Sequence, residues 1–365
     1  MNLSAKCVFV LLLAFALPPI AQAAVFCVTN PTELQSALTQ AAASGGDDEI
    51  RIRQGVYTAQ QTFTYTASTH GWLYINGGWI QVGENNCAQR GAAASATVLE
   101  GAGQRQVMSI LYIPMEASSP PRFLVENLSF RSGVGEGFVR GGGLSMVSTA
   151  SHYVEFWIDN VIIANNSGYF GGGANLSAQN GLFRVANSLF ADNSAPTSAY
   201  GHLAISVPQS DASRAAIIIN SSFVNGTCLG NTGGQRGCGI GVGLGATARV
   251  DIINSLFDNN AIADVSSEGA GTVFYNYSRV PLSIGPVIPT VTNALVGDPG
   301  FINPAAQDFR LSDSSPFINR GLGTAPLYGF NSFDIAGNLR NRFGAVDAGA
   351  YENQTWDFIF SNGFQ

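Results

Sequence analysis

The chain has 365 residues, is 46% hydrophobic and only 11% charged, and contains 43 glycines. Its single lysine, Lys6, falls in the leader described below, so the rest carries 16 Arg against 24 acids, a net charge of −8. That balance excludes a nucleic-acid binder and a protein drawn to anionic membranes. The apolar fraction follows a regular pattern, which excludes a disordered chain.

Residues 1–23 combine Lys6, the apolar run VFVLLLAFAL at 8–17 and the small-x-small tripeptide Ala21-Gln22-Ala23. This is the layout of a secretory signal peptide, and the run is too short to span a bilayer. Nothing later is long and apolar enough to cross a membrane. Cys27, Cys87, Cys228 and Cys238 remain after cleavage, an even number suited to an oxidising compartment. The short loop between them favours Cys228–Cys238, which leaves Cys27–Cys87. Four free buried thiols are the alternative. No Cys/His spacing suggests zinc.

Next along the chain, PTELQSALTQAAAS (31–44) has Leu34, Leu38 and Ala41-Ala42 at helical spacing, with Asn30 and Thr32 as cap candidates. The spacing predicts a short amphipathic helix. EIRIRQGVYT (49–58) then alternates as a strand.

Five later segments share one frame: RFLVENLSFRSG (122–133), EFWIDNVIIANN (155–166), LFRVANSLFADN (182–193), AAIIINSSFVNG (215–226) and RVDIINSLFDNN (249–260). Their frame asparagines are Asn127, Asn160, Asn187, Asn220 and Asn254. Side chains two and four positions before each Asn are apolar, the period of a strand with one buried face. Phe130, Ile163, Phe190, Phe223 and Phe257 lie three positions after. Gly133, Asn166, Asn193, Gly226 and Asn260 lie six after. Asn and Gly tolerate left-handed backbone angles, so both positions predict bends. A third short strand follows in GGGLSM (141–146), GGGANL (171–176), GHLAI (201–205), GIGVGL (239–244) and GAGTVF (269–274). Three strands and three bends per roughly 30 residues predict an all-β, single-stranded right-handed parallel β-helix, a β-solenoid, over residues 24–352. The helix at 31–44 would cap its first edge. Residues 293–352 are expected as closing coils and 353–365 as a short tail.

The whole chain after residue 23 resembles secreted parallel β-helix proteins of the pectin-lyase-like fold. LFADNSA and GGGANL resemble the FxxN and GGA repeats of polymorphic outer membrane proteins. DPGFINPAAQDFRLSDSSPFINRG and DIAGNLRNRFGAVDAGAYE resemble the choice-of-anchor Q region of exported bacterial proteins. The closing IFSNGFQ resembles an IFxDGFE tail of exported Gram-negative proteins. The resemblance implies export to the surface of, or release from, a Gram-negative cell. It implies no particular activity.

Enzymes of this fold cleave acidic polysaccharides, but their motifs are absent from the sequence and no lysine remains as proton abstractor. The outward column of the third strands reads Ser145, Asn175, Ala204, Gly241 and Phe274, with no charge. The strand before the frame Asn gives three outward columns. In these, Glu126 and Asp159 fall on neighbouring coils about 5 Å apart, with Glu155, Trp157 and Arg184 beside them. A carboxylate pair at that spacing divides acid and base roles, and Trp157 could stack on a sugar. A plain outer surface with ion pairs is the competing reading. Ile217, Ile219 and Ile253 make the same columns apolar further on. Such a patch calls for a cover, either a loop of the same chain at 195–214 or 226–238 or a partner. Asp298, Asp308, Asp313, Asp334 and Asp347 read as turn caps; a structural calcium is the alternative, unsupported by any motif. His70, His152 and His202 read as ordinary surface or turn residues.

No catalytic residue is assigned, and neither a cofactor nor a metal is expected. The sequence therefore points to an exported, non-catalytic protein that binds glycan or a surface protein. A polysaccharide lyase or glycoside hydrolase is the alternative.

Overall fold

A computed structural model describes residues 23–355, apart from 69–70, 92, 115–119, 136, 138–139, 150, 210–213, 230–235, 324–331 and 342–344. The expected leader, the tail from residue 356 and His70 lie outside the described residues. The protein is all-β with one α-helix and two long, mainly parallel sheets.

The first sheet runs from Ala24–Val28 through Asp48–Arg53, Trp72–Val82, Arg122–Arg131, Tyr153–Ala164, Asn180–Ala186, Ala216–Ile219, Arg249–Ile253 and Thr272–Asn276 to Thr290–Thr292. The second runs from Phe63–Ala67 to Ser283–Ile284. The register places like residues side by side. Phe123 pairs with Phe156, Phe156 with Phe183, and Phe190 with Phe223. The inward side chains become ladders between the sheets. Phe190, Phe223 and Phe257 stack at 4.8 and 4.7 Å between ring centres and are wholly buried. Offset ring pairs of this kind add to the burial of their area.

The frame asparagines adopt left-handed backbone, with φ of 57°, 56°, 48°, 50° and 48°. Their amides form a second ladder: Asn160 donates to Asn127, Asn220 to Asn187 and Asn254 to Asn220 at 2.9, 3.2 and 3.0 Å. Tyr277 and Asn293 continue the left-handed column, in repeats shortened enough to hide it from the sequence frame. A parallel ladder went unread. The serine after the frame residue accepts the backbone N–H of the neighbouring repeat, Val161 to Ser188, Ser188 to Ser221, Ser221 to Ser255 and Ser255 to Ser278. The repeated Asn-Ser dipeptide was its signal.

Three expectations shift. The second left-handed bend falls one residue early, at Ser132, Asn165, Asp192, Asn225 and Asn259. This frees the side chains of Asn166 and Asn193 to turn inward and hydrogen-bond to each other at 3.0 Å. Phe274 leaves the third-strand column, because Val265–Gly269 forms that strand and Ser266 takes the place beside Gly241. Phe274 instead pairs with Asp251. Beyond Asn293, the described residues up to Glu352 do not continue the stack as closing coils. They lie along its side as a strap: Leu322 donates to Asn254, Ile335 accepts from Ala94, Arg340 donates to Asn187 and Ala350 donates to Ser222.

The helix Pro31–Ser44 forms as expected. Asn30 caps it by accepting from Glu33 N–H at 3.0 Å, Glu33 accepts in return from Thr29 N–H at 2.7 Å, and Gly45 ends it with φ 68°. Leu34, Ala37, Leu38 and Ala41 are buried in the main core. Both expected disulfides are present, Cys27–Cys87 and Cys228–Cys238. Among the described residues no helix is long and apolar enough to cross a membrane.

Candidate functional site

The strands that precede the frame residues keep the predicted outward columns. Asp159 pairs with Glu126, Trp157 with Arg184 and Leu124, and Glu155 with Arg122 and Leu182. Alternation dictates this, since every second residue must leave the core.

The column that contains Trp157 is built by stacking. The Arg122 guanidinium lies 4.5 Å from the Trp72 ring and 4.0 Å from the Trp157 ring, and Arg184 covers Trp157 at 4.1 Å. The result is an alternating row, Trp72, Arg122, Trp157, Arg184, across successive strands. Trp72 is 51% exposed at its near end. Glu155 ion-pairs with Arg122 at 2.7 Å. Partial burial lowers Arg184 from its ordinary range, with Arg122 and Arg214 acting the same way and Glu155 and Tyr153 opposing. The Trp157 indole N–H has no hydrogen-bond partner among the described residues. Further along, Arg214 meets Asp251 at 2.5 Å, and Arg249 holds the same carboxylate while covering the Phe274 ring at 3.7 Å.

The carboxylates Glu126 and Asp159 share the expected register but have different company. Glu126 is 7% exposed, ion-paired with Arg90 at 2.8 Å and hydrogen-bonded by Tyr74. Arg90 comes from Asn85–Arg90, a strand that pairs antiparallel with Trp72–Val82 and is tied to Ala24–Val28 by Cys27–Cys87. Asp159 accepts the Asn187 amide at 2.8 Å and so joins the asparagine ladder. The structure therefore groups Arg122, Glu155, Trp157 and Arg184 in one cluster and commits Glu126 and Asp159 to structural bonds. Trp72 and Arg122 completed that cluster without being singled out in the sequence; Trp72 precedes the first recognisable frame.

The patch of Ile217, Ile219 and Ile253 is not an open partner surface. These residues are 2, 0 and 5% exposed and pack with Ala186, Leu182 and Leu322. Among the described residues none from 195–214 or 226–238 joins this cluster, and the cover comes from Leu322 of the strap. Its backbone locks to the ladder, with Asn254 accepting from Leu322 N–H at 2.7 Å.

His202 is buried, contrary to the reading as a surface or turn residue. Its Nε2 lies 2.9 Å from Asn260 Oδ1, and its Nδ1 lies 3.1 Å from the Asn193 amide nitrogen. Asn260 donates its own amide to Phe223 O and Asp264, so its Oδ1 must accept and His202 Nε2 carries the proton. Burial pushes the pKa down to about 3, so the ring stays neutral. It fills the space opposite Gly226, where a Cβ would lie 2.8 Å from His202 Cδ2.

The acidic turns act as caps. Asp334 accepts from the backbone of Ala336, Asn338 and Glu352, and Asp347 from Asn319 and Asn353. Among the described residues no group of three His, Cys, Asp or Glu side chains is arranged to hold a metal ion.

No protein-family model, no curated protein and no solved structure matches the chain.

Proposed function

We propose that the chain is an exported, single-stranded right-handed parallel β-helix that binds an acidic glycan at the surface of a Gram-negative cell without cleaving it. The row of Trp72, Arg122, Trp157 and Arg184 carries this reading. Both faces of Trp157 are covered by Arg122 and Arg184, so the half-exposed Trp72 is the ring that can meet a sugar, and the guanidinium groups that the rings hold in place offer planar donors to carboxylate or sulfate. The row is part-exposed and rigidly spaced, so little entropy is lost when a chain is laid on it. Two disulfides suit an oxidising compartment. The lyase or hydrolase alternative needs Glu126 and Asp159 as a working pair, and both already serve Arg90, Tyr74 and Asn187.

The test uses residues 24–365 against acidic and neutral polysaccharides, measuring both affinity and release of new chain ends. Binding to acidic chains that weakens with salt, and falls about tenfold or more in Trp157→Ala and Arg184→Gln, is the expected outcome. New ends, lost in Glu126→Gln, would make it an enzyme. No binding to any polysaccharide would sink the glycan reading.

A further inference from the structure

The outer side of the second sheet holds a cluster built like the Trp157 row. Counted back from the paired strand residues Leu144, Ala174, Leu203 and Ile240, the residues Arg140, Phe170, Ala199 and Arg236 share one column. Ala199 is small and buried, so Arg236 reaches past it. The Arg140 and Arg236 guanidiniums approach the Phe170 ring from opposite directions along the stack, to 5.2 and 5.4 Å. Tyr169 meets the same ring edge-on at 4.7 Å. Arg236 ion-pairs with Glu268 at 2.5 Å. Two guanidiniums, one ring and one glutamate therefore recur, as in Arg122, Arg184, Trp157 and Glu155. Arg140 is exposed and meets no carboxylate among the described residues. The backbone is strained to build the cluster. In the next column Gly141, Gly171 and Tyr200 have φ of 66°, 58° and 65°. A bulky side chain rarely takes left-handed backbone, and such residues gather where a site is held in place. There Tyr200 packs its ring on Gly241, where a Cβ would lie 2.5 Å from ring atoms, and sits 5.7 Å from the Phe170 ring. Its hydroxyl donates to Glu268, which fixes the partner of Arg236.

We infer that this cluster is a second contact for an acidic glycan, and that the protein bridges two polysaccharide chains, one on each sheet; the inference rests on the glycan reading of the Trp157 row. The guanidiniums held on Phe170 are planar donors for carboxylate or sulfate, as those on Trp157 are. The two clusters stand on the outer sides of the two sheets, with the main core between them. Each row crosses successive strands and so runs along the stack. A glycan laid on one row therefore does not turn to reach the other. Two separate contacts on one rigid body convert a binder into a cross-linker.

Calorimetric titration of residues 24–365 with a short oligogalacturonate and with a short heparin fragment counts the sites, and light scattering with the long forms of both reads cross-linking. Two oligosaccharides per protein chain are expected. The double variant Arg140→Gln, Arg236→Gln should weaken one site about tenfold or more and Trp157→Ala the other. Each variant should still bind long polysaccharide but no longer cross-link it. The site that each variant keeps shows that it has folded. One site per chain, weakened by Trp157→Ala and indifferent to the two glutamines, overturns the inference and leaves the glycan reading standing. Two sites without cross-linking overturn the bridge. No binding of either probe sinks the inference and the glycan reading together.

Discussion

Two halves of one outer face contrast. On the strands that precede the frame residues, the first half presents Trp72, Arg122, Trp157 and Arg184 at the surface. The second half presents Ala186, Ile217, Ile219 and Ile253, sealed beneath Leu322. Backbone and pairing pattern are the same: Ile217 continues the column of Trp157 and Arg184, while Ala186, Ile219 and Ile253 continue the neighbouring column of Glu126 and Asp159. A stacked sheet makes any outward column contiguous, so neighbouring apolar residues pool into a patch that must be covered, whereas arginines and rings satisfy one another in place. The adjoining face obeys the same rule: Ile162, Leu189, Ala191 and Val224 point outward and are buried by Phe309, Ile335 and Ala350. The strap goes where the ladder is apolar.

Removing the strap's anchor should break this contrast most strongly. Arg340 is 4% exposed; it donates to Asn187 Oδ1 at 2.6 Å and to Ala350 O at 2.7 Å, with Asp334, Asp347 and Glu352 acting on its charge. Arg340→Ala removes a buried charged donor from Asn187 Oδ1, Asn220 O and Ala350 O. A loss of about 3–5 kcal/mol is expected. Denaturant melts would show it, and limited proteolysis should cut within 332–341 while the stacked sheets survive. A loss below about 1 kcal/mol would mean that the strap is held by apolar contact alone.

Ile219→Ala tests the covered half directly. It opens a cavity beneath Leu322 and should cost about 2–4 kcal/mol. Cleavage or hydrogen exchange confined to the strap would separate loss of cover from loss of core.

The same strap contains a titrating group. Burial, and then the Asp347 charge, raise the Glu352 carboxyl to about 8 from its ordinary 4.5, and burial raises Asp347 as well. A carboxyl raised on folding binds its proton more tightly in the folded chain. Its stabilising contribution is therefore complete below about pH 4.5 and is lost as pH rises through about 8. Strap attachment, followed by hydrogen exchange at Ala350, should weaken over that window. Glu352→Gln should flatten the dependence, and an unchanged slope in that variant would assign it to Asp347.

The sequence revealed the repeated pattern and not the cover, for a physical reason. Period-two burial and left-handed asparagines are local, so Asn127, Asn160, Asn187, Asn220 and Asn254 could be read from spacing alone. Repetition then supplied the columns, and with them the neighbours of Trp157. The strap is a non-local event: Leu322 meets Ile219 and Arg340 meets Asn187 through chemistry no period encodes. An apolar column declares that it needs a cover without naming one. His202 escaped for the converse reason. A lone histidine carries no pattern, and its only trace was Gly226 standing where three other repeats have Asn.

The smallest expected change in stability belongs to the open half, and it discriminates best. Trp157→Ala removes a ring lying between two guanidiniums, part-exposed and in contact with water. Exposed cation–π pairs are worth about 0.5–1 kcal/mol each, and Arg122 keeps both Trp72 and Glu155 as partners. Stability should therefore fall by no more than about 2 kcal/mol, well short of the loss from Arg340→Ala. Affinity for an acidic polysaccharide should fall about tenfold or more, because the removed ring orders Arg122 and Arg184 on either side. Trp157→Phe keeps a face for both arginines and should restore much of the binding. If Trp157→Ala instead destabilises the chain as severely as Arg340→Ala and leaves binding intact, the row is a structural brace like the strap, and the two halves of the face differ in composition but not in purpose.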